Sequence, residues 1–327
     1  MERFKFIWID DDPERIGVAT NLGRRLKVDI EFTSLRKLNV EYVLAKILKK
    51  AQPDLVIIDH RLDTAASELI RTGFMSAAFI REKWPACPII CVTGIDKDNF
   101  NSQQHSLYQE TYEISDISSH DTEILSIAES FKHLRLRKFK DIEMLLSVLK
   151  VPDDDKYKLA SILPQEIKEH ITDKNLAVHL SKWIRKTLFA RPGFLYNRLW
   201  VSTLIGVKEE SFKKVEYLFA SSKYEGIFHN KSDQRWWKSE VLDILGTQVS
   251  AIGLPWEIGR FLPKIKKSDY SIDYVNNEAY PETVAFVDQT IDSKQYPMRI
   301  KYTEPHPNYE DMLFFEKIRM MKGQNDD

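Results

Sequence analysis

Short, continuous apolar runs alternate with helix-spaced apolar residues through the first third of the chain. FKFIWI (residues 4–9) is one such run and ends in three aspartates. Residues 13–26 place Ile16, Ala19, Leu22 and Leu26 at helical spacing, which predicts a helix with that face inward. DIEFTS (29–34) reads as a short strand. VEYVLAKILKKA (40–51) reads as a helix with Val43, Leu44, Ile47 and Leu48 inward. LVIID (55–59) follows a Pro–Asp turn and reads as a buried strand; residues 73–84 read as a helix and PIICVTG (88–94) as the next strand. Apolar strands that alternate with helices predict a parallel sheet covered on both faces. The expected fold is therefore α/β, a doubly wound five-stranded parallel sheet, followed by a mainly helical α+β region.

Beyond it, Ile124, Ile127, Ala128, Phe131 and Leu134 form one helical stripe, and Ile142, Leu145, Leu146 and Leu149 another. Between them lies the basic stretch KHLRLRKFK (132–140), read either as a nucleic-acid patch or as a solvated linker helix. VPDDD (151–155) stops this helix and can start another. Residues 175–220 are again helical in pattern. The last stretch contains proline-spaced pieces (LPWEIGRFLP, YPETVAFVD, YPMRIKYTEPHP) and a closing helix, NYEDMLFFEKIRMMK. The organisation expected is a sheet domain at 1–130, a helical connector at 131–174, a helical domain at 175–248 and a small α+β tail at 249–327.

Composition narrows the setting. The 327 residues contain no apolar run of about 18 or more, and the start turns acidic without a signal-peptide pattern. No membrane span is expected, and the cytoplasm is the expected location. Cys87 and Cys91 share the run CPIIC; along a strand they would stand roughly 13 Å apart, too far for a disulfide, which needs Cα atoms within about 7 Å. Reduced, buried thiols are expected. The net charge of −1 hides a segregation: residues 1–130 carry 16 basic and 21 acidic side chains, whereas residues 181–240 carry 12 and 6.

The chemistry sits where such sheets put it, beyond the carboxyl ends of the strands. Strand one ends in Asp10, Asp11 and Asp12, strand three in Asp59, and strand four in Thr93 and Gly94. Carboxylates that converge there repel each other unless a cation intervenes, and Mg²⁺ suits hard oxygen ligands. An aspartate beside that ion can accept a phosphoryl group. IWIDDDP, PDLVIIDHRL and GFMSAAFIREKWPACPIICVTG together resemble the receiver domain of two-component response regulators, across about two fifths of the chain. The resemblance implies Asp59 as phosphoacceptor, with Asp10, Asp11, Asp59 and the Arg61 carbonyl as Mg²⁺ ligands. It also implies Thr93 as the switch hydroxyl and Tyr112 as the switch aromatic.

One position departs from that pattern. Three residues after the switch aromatic, receivers carry a lysine; here the position is Ser115, which supplies no cation. Lys97 is a further cation within the same region. Phosphotransfer at Asp59 and a receiver fold kept for docking both remain open.

WVSTLIGVKEESFKKVEYLF (200–219) is similar to a helix-turn-helix. Ser202 is small where two helices would approach, Gly206 can take a positive φ, Val207 plugs the corner, and Ser211–Phe212 enter a second helix. That helix would present Lys213 and Lys214 to DNA. KYEGIF and QRWWKSEV flank HNKSD as a candidate wing and bring Arg235 in as a third nucleic-acid contact, although Glu209, Glu210 and Glu216 oppose phosphate binding. Trp236 and Trp237 are expected in the core. No P-loop, GxSxG, HExxH or paired-cysteine zinc motif occurs, and Asp288 and His306 form no recognisable spacing; an enzyme of metabolism is not expected. The sequence thus predicts a response-regulator-like signalling protein controlling a binding output, with a histidine kinase or other protein partner, DNA as one candidate target, and a homodimer left open. The alternative is a non-phosphorylated receiver-fold adaptor that docks protein partners, for example in a bacterial defence or signalling operon.

Overall fold

The computed structural model of the chain describes residues 3–66, 70, 72–94, 107–173, 176–190, 192–248 and 255–270, and the backbone of four two-residue strands between Tyr274 and Arg299. The N-terminal elements are β1 (Lys5–Asp10), α1 (Ile16–Leu26), β2 (Asp29–Ser34), α2 (Val40–Ile47), β3 (Leu55–Asp59), α3 (Gly73–Lys83), β4 (Ile89–Thr93), β5 (Glu110–Glu113) and α4 (Asp121–Leu136). The region that follows is helix-rich: α5 (Ile142–Val148), α6 (Asp153–Ile162), α7 (Gln165–Glu169), α8 (Leu176–Trp183), β6 (Leu195–Tyr196), α9 (Arg198–Leu204), α10 (Glu209–Phe212), β7 (Trp236–Trp237), α11 (Lys238–Gln248) and α12 (Pro255–Ile258). Two compact units result, and neither is continuous in sequence. One comprises Met1–Leu145 with Leu163–Trp183, the other Leu146–Ile162 with Ile184–Asp327.

In the first unit, β1 to β5 form one parallel sheet in the order β2-β1-β3-β4-β5. β3 and β4 are buried at every position, as their unbroken apolar runs require, whereas the edge strand β2 is half-exposed. Side chains alternate between the two faces. Ile7, Ile9, Val56, Ile58, Ile89 and Cys91 pack with Leu44, Ile47, Ala77 and Ile80 of α2 and α3. Phe6, Trp8 and Ile57 point to the other face and are also buried. There α1 packs with α4, and Arg25 holds Asp121 through two bonds of 2.8 and 2.9 Å.

Local chemistry starts and stops these helices. Asn39 and Thr72 accept from the backbone N–H groups of Tyr42 and Met75 at the starts of α2 and α3. α1 ends on Lys27 at φ 56, where Val28 N–H reaches the Gly23 carbonyl. Ala19, Leu22 and Leu26 are buried as expected, but Ile16 is 54% exposed. Pro13–Arg15 form a 3₁₀ turn, so Ile16 is the first α-helical residue, and the buried stripe begins only at Ala19.

The basic stretch 132–140 breaks after α4, with Arg137 extended at φ −98 and ψ 140. Two of its cations are already engaged: Arg135 lies 2.9 Å and Lys132 3.5 Å from the buried Asp54 carboxylate. Phe139 is buried. Cys87 and Cys91 are free and buried, and burial pushes the Cys87 thiol up to about 12.

In the second unit, Leu199, Trp200, Leu204, Val207, Phe212, Val215, Phe219, Trp236, Val241 and Leu245 make one core. β6 pairs antiparallel with β7, and β7 bridges on its other side to Lys223. The connection from Ser222–Tyr224 to Arg235–Trp237 is closed by the 2.8 Å bonds Tyr224 N–H to Arg235 and Trp237 N–H to Ser222. α9 is followed by Gly206 at φ 75, then α10. The tail contributes two short antiparallel pairs, Tyr274–Val275 with Glu278–Ala279 and Thr283–Val284 with Met298–Arg299. The expected closing helix, Asp288 and His306 lie outside the described residues.

Candidate functional site

Register brings the acidic residues together. Ile9 stands beside Ile58, so the next residues, Asp10 and Asp59, emerge side by side where the sheet order reverses between β1 and β3. Asp59 neighbours Val92 on β4, which sets Thr93 one step further along the same edge. Carboxylate oxygens of Asp10, Asp11 and Asp59 lie within 4.8 Å of one another, and all three residues are buried.

Each aspartate is held by a different local device. Asp10 Oδ1 accepts from the Asp12 N–H at 2.9 Å and Oδ2 from the Trp8 indole N–H at 3.1 Å. Asp11 Oδ2 accepts from Thr64 N–H at 2.6 Å, while the Thr64 hydroxyl donates to the Asp11 carbonyl at 3.1 Å. Asp12 turns outward and caps the 3₁₀ turn through Glu14 N–H. Behind Asp59, Gly73 opens α3 with its N–H on the His60 carbonyl at 2.8 Å. A Cβ at position 73 would collide with the Asp59 carbonyl, so this close return of the chain requires glycine.

Burial, then the neighbouring Asp10, raises the Asp59 carboxyl to about 7 despite the opposing pull of Arg15. Asp10 is likewise raised, chiefly by burial. Among the described residues, the cation in this pocket is Arg15, whose Nη1 is 3.1 Å from Asp59 Oδ1 and 3.5 Å from Asp10 Oδ2, with Nε 3.7 Å from Asp12. Three converging hard oxygen donors, two of them with pKa values raised chiefly by burial, fit a Mg²⁺ ion.

The remaining expected residues fall as follows. Thr93 closes β4 and is buried; its carbonyl receives Ile114 N–H at 2.8 Å. Tyr112 lies in β5, buried, with its ring 4.4 Å from that of His120. Ser115 is exposed in the turn after β5. Arg61 follows Asp59 by two residues, its backbone bridged to Thr72. Lys97 lies outside the described residues. Arg15 was not among the expected residues. Its signal is an arginine in the first turn after DDDP, where the chain doubles back over its own acidic cluster.

The expected nucleic-acid contacts are dispersed. Lys213 is exposed. Lys214 is tied at 2.6 Å to Asp269, a buried carboxylate that also receives Ser211 Oγ at 2.9 Å and Lys266 N–H at 2.9 Å. Arg235 does not face outward: its side chain is 12% exposed, lies over the rings of Phe189 and Trp200 at 5.7 and 5.5 Å, and pairs with Asp233. Its planar guanidinium is spent on packing between aromatic faces. The expected second helix of the turn is also short, since α10 ends at Phe212 and only a 3₁₀ turn, Glu216–Phe219, follows. Trp236 and Trp237 are buried, as expected.

No family model matches the chain, and no curated protein does. Among solved structures, the chain is similar to the N-terminal domain of a response regulator/sensory box/GGDEF 3-domain protein from Carboxydothermus hydrogenoformans, at 14% identity over 41% of this chain and 99% of that one, with a TM-score of 0.33. It is also similar to the signal receiver domain of the response regulator NarL from Mycobacterium tuberculosis, at 17% identity over 39% and 98%, with a TM-score of 0.33. A third is the response regulator TrrA from Thermotoga maritima in complex with Mg²⁺-BeF, at 21% identity over 34% and 85%, with a TM-score of 0.26. The fold of this chain is a receiver-like five-stranded parallel sheet followed by a helix-rich region.

Proposed function

We propose that the N-terminal unit is a signalling input in which Asp59 accepts a phosphoryl group, and that this controls a binding output carried by the C-terminal unit. The observation that carries this reading is the convergence of Asp10, Asp11 and Asp59 at the carboxyl edge, with Thr93 one strand over. A phosphohistidine on a partner kinase is the donor class in this reading. Asp59 Oδ attacks phosphorus, the P–N bond breaks as the P–O bond forms, and the departing imidazole takes a proton from solvent. Asp10, Asp11 and Asp59, with the Arg61 carbonyl, would hold Mg²⁺, which when bound offsets charge on the transferring oxygens. Thr93 is the hydroxyl that would follow the phosphoryl group, and Tyr112 the aromatic that reads its movement. The test is incubation of the full chain with Mg²⁺ and phosphoramidate, followed by intact mass. A single phosphoryl adduct, absent in Asp59→Ala, is expected; no adduct in the wild type overturns the reading.

A second reading, a non-phosphorylated adaptor, is favoured by the standing Arg15–Asp59 pair and by Ser115 in the place of a cation. For the output, the order strand, helix, turn, helix, strand, loop, strand, with β7 between β6 and Lys223, supports a winged-helix-like unit. The inward Arg235, the tethered Lys214 and the short α10 favour a protein over a DNA duplex as its partner. Salt-sensitive duplex binding that disappears on joint Lys213→Glu and Lys214→Glu substitution would reverse that preference.

A further inference from the structure

A carboxylate that carries a phosphoryl group confronts the site with a charge of about −2 at neutral pH. A divalent ion offsets little more than the Asp10–Asp11 pair, so a second cation is needed close to Asp59. Among the described residues, Arg15 is the cation in contact with Asp59, and it arrives from the turn that leads into α1. Three features make this a placed group. Its side chain is 19% exposed, so it is held in the pocket and does not sweep through solvent. Nη1 bridges Asp59 and Asp10 while Nε faces Asp12, which fixes the plane of the fork. Nη2 makes no hydrogen bond to any described residue and lies toward Gly94, 3.4 Å from where a Cβ there would stand, immediately beyond Thr93. A donor left over on this side faces the space between the ends of β3 and β4, where oxygens on Asp59 would project.

Resting on the phosphoacceptor reading of Asp59, we propose that Arg15 is the phosphoryl-binding cation of this site, reaching an oxyanion on Asp59 through Nη1 and Nη2 from the α1 side of the pocket. Ser115, exposed after β5, is thereby relieved of any charge-bearing role. On this proposal Arg15 shifts partners when Asp59 is modified. Its bond to the bare carboxylate is exchanged for bonds to the phosphoryl oxygens, and a guanidinium suits two such acceptors at once.

The test uses the full chain and two titrations followed through Trp8, whose indole donates to Asp10 and so reports on the pocket. The first is Mg²⁺ alone; the second is beryllofluoride at saturating Mg²⁺. Wild type, Arg15→Gln and Arg15→Lys are compared, with Asp59→Ala as the blank. Expected is Mg²⁺ binding in Arg15→Gln at least as tight as in wild type, because a competing cation is gone, together with beryllofluoride affinity weakened about tenfold or more. Arg15→Lys should fall between. Equal beryllofluoride affinity in wild type and Arg15→Gln makes Arg15 a bystander and overturns the proposal. Tighter binding in Arg15→Gln, or binding only there, makes Arg15 a plug, which overturns the proposal while leaving Asp59 a phosphoacceptor. Loss of Mg²⁺ and beryllofluoride binding together in both variants assigns Arg15 to the pocket's architecture and also overturns it. If neither wild type nor Arg15→Gln takes beryllofluoride although both bind Mg²⁺, the phosphoacceptor reading itself falls.

Discussion

At the scale of single residues, Asp59 and Arg235 show how burial changes the meaning of a charge. Asp59 has its carboxyl raised to about 7, so the folded chain holds a proton that the unfolded chain releases near pH 4. Its contribution to stability is therefore most favourable below the unfolded pKa, declines as pH rises between about 4 and 7, and is fully unfavourable above. In a chelating buffer, Asp59→Asn should raise the melting temperature relative to wild type more at pH 8 than at pH 5; a difference that does not change with pH would refute this. Arg235 was expected from the sequence as a nucleic-acid contact, yet it packs between Phe189 and Trp200. Arg235→Ala should cost the fold about 2 kcal/mol or more through lost packing and cation–π contact, measured by urea unfolding.

At the scale of elements, legibility followed burial. β3 falls where its apolar run begins and ends, because a strand covered on both faces has little freedom of register. The carboxyl-edge site was legible for the same reason: strand ends fix where Asp10, Asp11, Asp59 and Thr93 lie. Arg15 was not legible, since its role depends on a long side chain folding back across a turn, and no periodicity records that. The helix-turn-helix pattern recovered the buried Ser202, the positive φ at Gly206 and the buried Val207, but overran the second helix. What anchors the start of that helix is distant in sequence. Lys208 N–H bonds to the Asp269 carbonyl at 2.8 Å, and Val207 bridges to Tyr270. The Asp269 carboxylate adds to this: burial pushes its pKa up, but Lys214, the Lys266 N–H and Ser211 together hold it below the usual range. That contribution is present above about pH 4 and lost as the pH falls through the lower, folded value. Asp269→Ala should destabilise the C-terminal unit by about 1.5–3 kcal/mol at pH 7, with the gap to wild type closing in acid unfolding profiles below pH 4.

At the scale of the whole molecule, two compact units share a chain that passes between them three times, at residues 145–146, 162–163 and 183–184. The stretch read from sequence as a connector is divided between both, and α8 packs on α4 within the first unit. A fragment ending near residue 145 therefore lacks Leu163–Trp183 and leaves part of α4 bare. Such a fragment should melt well below the same unit in the full chain, by circular dichroism; equal melting temperatures would show that the returning segment contributes nothing. Among the described residues, no helix is long and apolar enough to cross a membrane.

The triple crossing bears on inheritance as well as on folding. Receptors and outputs joined by one linker can be exchanged between genes by a single recombination event, since either half remains whole. Here any one cut leaves at least one unit without a segment of its own chain, so such shuffling yields a broken product. The two units of this protein are therefore expected to change together, by substitution within one reading frame.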